Sequence, residues 1–369
     1  MKYVLITNGH LANIVSPVED FLADNGIHVE TIRHPLFSTE SRRAHYSLVE
    51  GQQRVIHEAK SFLKAPLSHL FDPFWGAHRI KGDVALSFSC HTTVTALFLR
   101  KIGRVKRVVH WSIDFSPRRF RSSLLNIVYC FLDRFVIQRT DLHVELTQRA
   151  AKARQQRYGL KSSAAQVIIP VGVNSKLSPQ SSSERFNSQR IVFLGNLNPD
   201  QGVDTLIRSM PLVRQQIPRA VLEIVGGGDL LEKFKDLKNQ LQLGQSVVFL
   251  GQLSPDEFRE RLCVSTVGVA PYVDDKETFS VYGDPSKVKS YIECGLPVVM
   301  TNVPEVATEL EENGCALLCK SNEQSIADAL IQILSGIEEW ERMSMSVSAY
   351  AQKIDWNIIL RPILEKCGD

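Results

Sequence analysis

The sequence is poor in the features that staple or anchor a chain. Its seven cysteines are odd in number and form no Cys-x-x-Cys pair, which excludes a disulfide framework and a cysteine-rich zinc centre. Cys315 and Cys319 have a helical spacing and read as small apolar residues of a reducing compartment. No apolar run approaches the roughly 20 residues that cross a bilayer. The longest, Leu124 to Ile137, is broken by Asn126, Asp133 and Arg134. The opening stretch, Met1 to Thr7, runs directly into the turn pair Asn8-Gly9 and reads as a strand, not as a secretory leader. Charge of one sign is also scarce. Lys and Arg number 43 against 40 Asp and Glu, a net +3, so no whole-molecule attraction to nucleic acid follows. The expectation is a cytoplasmic protein that at most rests on the inner face of a membrane.

What remains is the composition of a globular α/β chain. With 44% hydrophobic and 22% charged residues, 369 residues are too many for one ordinary core and imply two domains. Short β-rich runs occur at Tyr3–Thr7, Val84–Phe88, Arg107–Trp111, Gln166–Ile169, Arg190–Leu194, Val221–Val225, Ser246–Leu250, Val267–Ala270 and Val298–Thr301. Helical periodicity lies between most of them, as at Val18–Asn25, Val203–Gln216 and Leu230–Leu241. The one change of composition, Ser175 to Gln189, is rich in serine and poor in core formers, and reads as an interdomain linker. The expected division is therefore an N-terminal domain over 1–174, the linker over 175–189, and a C-terminal domain over 190–345. A final segment, 346–369, is expected to return to the first domain. In doubly wound sheets ligands sit beyond the carboxyl ends of the strands, so the loops there carry the functional candidates.

Those loops resemble glycosyltransferase family 4. Ile191-Val192-Phe193-Leu194-Gly195-Asn196-Leu197-Asn198-Pro199-Asp200-Gln201-Gly202-Val203-Asp204 is similar to that family's strand, glycine turn and helix start. Leu222-Glu223-Ile224-Val225-Gly226-Gly227-Gly228, Val247-Val248-Phe249-Leu250-Gly251 and Val269-Ala270-Pro271-Tyr272 follow in the expected order. The most specific piece is Gly283-Asp284-Pro285-Ser286-Lys287, continuing through Tyr291 to Cys294-Gly295-Leu296-Pro297-Val298-Val299. The first half matches more weakly, through Asn8-Gly9-His10 and Ile168 to Asn174, and Ile354-Asp355-Trp356 resembles the family's returning segment. The resemblance implies the GT-B architecture: two Rossmann-like doubly wound domains facing a cleft, α/β throughout. It also implies a nucleotide-diphosphate sugar as co-substrate, with no other cofactor.

A pyrophosphate held without metal needs backbone amides, helix N-termini and cations. Asp284-Pro285-Ser286-Lys287 reads as a cap, a first-turn proline and two polar groups, so Ser286, Lys287 and Gly195 are expected at the phosphates. Asp284 and Ser290 are expected at sugar or ribose hydroxyls and Gly227 with its neighbours near the nucleotide, while Asn196 is a further donor-binding candidate. The alternative for this segment is an ordinary capped helix with a solvated lysine. The family's usual arginine and lysine after the first strand are here Asn196 and Gln201. Its two glutamates, separated by seven residues, fall on Tyr282 and Ser290. Two lost cations cost roughly 3–6 kcal/mol of binding, so either Lys287 rebuilds the site or donor binding is gone. No isolated Asp-x-Asp is present, and Asp274-Asp275 sits in a charged loop. No metal is expected.

On the acceptor side the candidates are Gly9, His10, His91 and the group His110-Trp111-Ser112-Ile113-Asp114. If configuration is retained, as the resemblance implies, the leaving phosphate takes the acceptor proton, and His110 or Asp114 orients the hydroxyl. Arg100, Lys101, Arg104, Lys106, Arg107, Arg118, Arg119 and Arg121 precede the apolar helix near Leu124. Their setting fits anionic lipid or a lipid-linked pyrophosphate, the alternative being a solvated basic face. The leading expectation is sugar transfer to a hydroxyl of a glycan or lipid-linked acceptor. A catalytically silent binding partner and a sugar-nucleotide epimerase are the other readings.

Overall fold

The computed structural model describes residues 1–8, 12–34, 42–49, 52–60, 74, 80–113, 115–120, 122–159, 165–177, 182–274 and 279–367. The chain forms two compact units: Met1–Pro170 together with Trp356–Asp369, and Val171–Asp355.

The first unit is built on an eight-stranded sheet. In chain order its elements are β1 (Lys2–Asn8), α1 (Ala12–Asp24), β2 (His28–His34), β3 (Arg42–Val49), β4 (Gln52–Lys60), β5 (Val84–Ser87), α2 (Cys90–Lys101), β6 (Arg107–Ser112), α3 (Ser123–Ile137), β7 (Leu142–Glu145), α4 (Gln148–Tyr158) and β8 (Gln166–Ile168). The strand order is β4-β3-β2-β1-β5-β6-β7-β8. All neighbours are parallel except β2–β3 and β3–β4, which form an antiparallel extension of one edge. Tyr3, Val4, Leu5 and Ile6 are all fully buried, the continuous apolar run expected of a parallel strand covered on both faces. Val4, Ile6, Ile32, Ala85 and Val108 pack with Ala96 and Leu99 of α2.

A buried polar cluster joins α3, β7 and α4. Arg154 of α4 donates from Nε to Asp133 Oδ2 at 2.9 Å and from Nη1 to Glu145. The Tyr158 hydroxyl donates to the same Asp133 oxygen at 2.8 Å. The carboxylates thus have a shared cation, which is the condition for placing them out of water.

The second unit carries a six-stranded, wholly parallel sheet. Its elements are α5 (Ser183–Asn187), β9 (Arg190–Leu194), α6 (Val203–Gln216), β10 (Val221–Val225), α7 (Leu231–Gln240), β11 (Val247–Gly251), α8 (Pro255–Val264), β12 (Val267–Ala270), α9 (Phe279–Tyr282), α10 (Ser286–Glu293), β13 (Val298–Thr301), α11 (Val306–Glu312), β14 (Ala316–Cys319), α12 (Glu323–Ser335) and α13 (Ile337–Lys353). The order β11-β10-β9-β12-β13-β14 is the 3-2-1-4-5-6 arrangement of a doubly wound dinucleotide-binding sheet. Ile191, Phe193, Leu222, Ile224 and Val269 form the sheet face of a core closed by Leu206, Ile207 and Met210 of α6. The last two helices, α14 (Trp356–Ile359) and α15 (Arg361–Cys367), belong to the first unit.

Three expectations are altered. The stretch read as a linker contains a short 3-10 turn at Ser175–Leu177 and the helix α5. Ser182 caps α5 by accepting from Arg185 N, and the buried Arg185 donates to Ser265 O at 2.8 Å and Cys294 O at 2.7 Å. One arginine bonded to distant carbonyls through Nε and Nη2 thus draws a polar segment into the second unit. The chain returns to the first unit at Trp356, not at 346, because α13 continues to Lys353 with Tyr350 and Ala351 buried. Cys315 directly precedes strand β14 and Cys319 is its last residue, so the two do not share a helical turn, and both are free thiols.

Candidate anion-binding site of the second unit

The strand order reverses between β9 and β12, the place where such sheets leave a crevice at their carboxyl ends. Tyr291 of α10 ties the two strands there. Its hydroxyl accepts from Leu194 N at 2.9 Å and donates to Val269 O at 3.1 Å. The glycine turns after β9, β10 and β11 are laced to one another. Gly195 N donates to Val225 O at 2.9 Å, Gly226 N to Gly251 O at 2.7 Å, and Leu197 N to Gly227 O at 2.9 Å.

This lacing revises one expectation. The Gly195 amide is spent on the scaffold, so Gly195 supplies room rather than a donor. A Cβ built on Gly195 would lie 3.0 Å from Lys287 Nζ. Gly226 is more constrained. Its φ is +137°, and a Cβ would fall 1.9 Å from the Gly195 carbonyl oxygen. Gly226→Ala therefore combines backbone strain with a backbone clash, and should cost about 3 kcal/mol in urea unfolding; a loss under about 1 kcal/mol would show that the turns are not locked together.

Lys287 is the electrostatic centre of the site. It lies in the first turn of α10 and is buried. Its Nζ stands 4.1 Å from the Phe193 ring centroid and 4.8 Å from that of Tyr272, and donates to Gln201 Oε1. Among the described residues no carboxylate is within ion-pair distance of it. Two aromatic faces and one amide oxygen replace only part of an ammonium's hydration, and burial lowers its pKa from 10.5 to about 7.

Lys289, two residues on, makes the contrast. It is equally buried but pairs with Asp284 Oδ2 at 3.3 Å. The same oxygen accepts from Val171 N at 2.7 Å, whereas Oδ1 is buried without a partner. Burial pushes the Asp284 carboxyl up from its ordinary value. Asp284 is thus not the cap of α10. Pro285 occupies that position with no side-chain cap, because Val171 and Lys289 engage the carboxylate. Among the described residues, one buried lysine has its counter-ion and the other does not.

The remaining donor-side candidates surround Lys287 unevenly. Asn196 and Ser286 are exposed; Gly227 is half-buried beneath Gln252, whose side chain a Cβ would meet at 3.5 Å. The Ser290 hydroxyl turns back along α10 to Ser286 O at 3.2 Å. Phe193, Tyr272, Tyr291 and Gln252 were not singled out by sequence for this site. An aromatic residue in or after an apolar strand reads as core, and only the coincidence of Phe193 and Tyr272 with switch-point strands could have signalled them.

In the first unit, Gly9, His10 and Asp114 lie outside the described residues. His91 is in the first turn of α2, immediately after β5 and half-buried. His110 is within β6 and fully buried rather than at a loop. Its Nδ1 shares a 2.7 Å hydrogen bond with Thr93 Oγ1, and its ring stacks on His143 at 5.2 Å. Burial lowers its pKa to about 4, so it is a neutral core histidine. Asp274 is exposed, and among the described residues no cluster of three His, Cys, Asp or Glu could hold a metal.

Residues 188–336 match the family model described as glycosyl transferases group 1. A GDP-mannose-dependent alpha-(1-6)-phosphatidylinositol monomannoside mannosyltransferase of Mycobacterium tuberculosis is 27% identical over 145 residues, 39% of this chain and 38% of that one. An uncharacterized glycosyltransferase of Methanocaldococcus jannaschii is 30% identical over 179 residues, 47% of this chain and 43% of that one. The chain thus spans about two fifths of the length of these curated relatives. Among solved structures, a sucrose-phosphate synthase from Thermosynechococcus elongatus superposes with a TM-score of 0.75 at 17% identity, covering 99% of this chain and 98% of that one. Anabaena HepE in complex with UDP gives 0.70 at 17% identity and covers all of both chains. Residues 188–336 thus carry the glycosyl transferases group 1 match, and the chain as a whole has the GT-B fold.

Proposed function

We propose that this chain transfers a sugar from a nucleoside-diphosphate sugar to a hydroxyl acceptor, with retention of configuration and with Lys287 in the place of a metal ion. The observation that carries the reading is the buried Lys287 amine at the switch point of a doubly wound sheet, with no carboxylate within ion-pair distance among the described residues. As the glycosidic bond breaks, charge accumulates on the leaving diphosphate. An ammonium already fixed and desolvated strengthens its interaction at that moment without reorganising. The departing phosphate oxygen takes the acceptor proton, so no strong base is required. Ser286, exposed at the start of the same helix, and Asn196 complete the polar surround, with Gly227 and Gln252 toward the nucleotide. Asp284 Oδ1 is left for a hydroxyl. The similar proteins, one a GDP-mannose-dependent mannosyltransferase and one of the same fold bound to UDP, support the donor class. The acceptor is a glycan or lipid-linked glycan, with His91 on the acceptor side.

A silent binding partner is favoured by one observation only: Gln201, in place of the family's lysine, spends its amide oxygen on Lys287. Calorimetry with UDP, GDP, ADP and dTDP, followed by sugar transfer to supplied acceptors, tests the assignment. A nucleoside diphosphate should bind and its sugar should move. Binding with isomerised free product would give the site to an epimerase, and no binding by any of the four would remove the donor site altogether.

A further inference from the structure

Helix α3 is amphipathic in the wrong sense for a core helix. Leu124, Ile127 and Phe131 are 69%, 66% and 70% exposed, and Leu125 and Val128 beside them also face outward. The inward face carries Asp133, held by Arg154 and Tyr158, with Val136 and Ile137. Positions 124, 127, 128 and 131 follow the i, i+3, i+4, i+7 spacing of a single stripe, and the exposed Arg134 continues it. The preceding loop folds back onto the helix start. Phe120 N donates to Asn126 Oδ1 at 2.8 Å, and Asn126 Nδ2 to Phe120 O at 2.6 Å. That places the Arg119 guanidinium 5.2 Å from the Tyr129 ring, with Arg118 beside it and exposed.

We propose that this face docks on an anionic lipid bilayer, with the 124–131 stripe among the acyl chains and Arg118, Arg119 and Arg134 among lipid phosphates. Charge decides between occupants. Phe115 to Leu132 contains no acidic residue. A second copy related by a two-fold axis would set this basic rim against itself, since such an interface is self-complementary. Anionic headgroups neutralise it instead. The helix has 15 residues, about 22 Å, short of the hydrocarbon thickness. Among the described residues no helix is long and apolar enough to cross a membrane. The helix therefore lies in the interface plane. This inference stands independently of the donor site.

Co-sedimentation of the full chain with vesicles of neutral phosphatidylcholine, or of phosphatidylcholine with phosphatidylglycerol, tests it. The protein should pellet with the anionic vesicles only, and less so as salt is raised. Ile127→Ser with Phe131→Ser should weaken binding roughly tenfold or more, with thermal unfolding unchanged because both side chains are exposed, and Arg118→Gln with Arg119→Gln should weaken it roughly tenfold or more while the protein stays folded at the assay temperature. Negligible pelleting with anionic vesicles, or equal pelleting by all three proteins, would overturn the proposal. So would a wild-type dimer in sedimentation velocity that the apolar double variant dissociates, which would assign the face to a second copy.

Discussion

Lys287→Met should raise the melting temperature while abolishing most diphosphate binding. The two effects have one cause. Burial lowers the lysine pKa from 10.5 to about 7, a penalty on the order of 5 kcal/mol against folding when the amine is charged. The sign follows from proton counts. Between pH 7 and 10.5 the unfolded chain holds a proton at this lysine that the folded chain has largely released, so stability rises with pH across that window. The penalty is greatest at and below pH 7 and absent above 10.5. Methionine fills a similar volume without charge, so the variant should gain several degrees in Tm at pH 7 and lose this increment of pH dependence. Binding moves the opposite way. A hydrogen bond to a charged group contributes about 1.5–3 kcal/mol, so the affinity for a nucleoside diphosphate should fall by roughly 10- to 150-fold, and that of the bare nucleoside should hardly change. A residue kept at a cost in stability is the mark of function. A variant that is destabilised yet binds normally would make Lys287 a packing residue.

Arg154→Ala should be the most damaging single change in the first unit. The guanidinium is almost wholly buried, serves Asp133 and Glu145 together, and lies 4.7 Å from the Phe115 ring. Removing it leaves two carboxylates without their cation, for a loss of about 3–5 kcal/mol. The loss should depend on pH. Desolvation already raises the Glu145 pKa against the pull of Arg154, and without the arginine it rises further. The folded variant then binds more protons than the unfolded chain, so its stability falls as pH rises through that window. Urea unfolding should show a larger deficit at pH 8 than at pH 5. An equal deficit at both would mean that lost packing, not uncompensated charge, is responsible.

How far such features can be read from residues depends on whether their partners are local. Arg190–Leu194, Val221–Val225, Val267–Ala270 and Val298–Thr301 are recoverable residue for residue, because parallel strands covered on both faces must be apolar runs. Strands β2 and β7 escape that signal. His28–His34 mixes charged with apolar residues, and Leu142–Glu145 buries His143 and Glu145, whose partners lie on α4 and β6. Ser183–Asn187 looked like a linker for the same reason, since the groups that satisfy Arg185 are more than 75 positions away in sequence. At the candidate site, Lys287 is visible in Asp-Pro-Ser-Lys, but its condition is not. The cage of Phe193, Tyr272 and Gln201 is assembled from three separate loops and strands. Asp284 precedes Pro-Ser-Lys as a cap would, yet Val171 and Lys289, neither predictable from local sequence, claim its carboxylate.

Proton uptake on ligand binding bears most directly on whether the Lys287 amine is the seat of an anion. At pH 8 the free site holds that amine largely neutral, and a bound diphosphate should recharge it. Calorimetry of the tightest-binding nucleoside diphosphate in buffers of different ionisation enthalpy should therefore report about one proton taken up per ligand, falling to near zero in Lys287→Met. The same proton count in both proteins would place the diphosphate elsewhere and contradict the assignment.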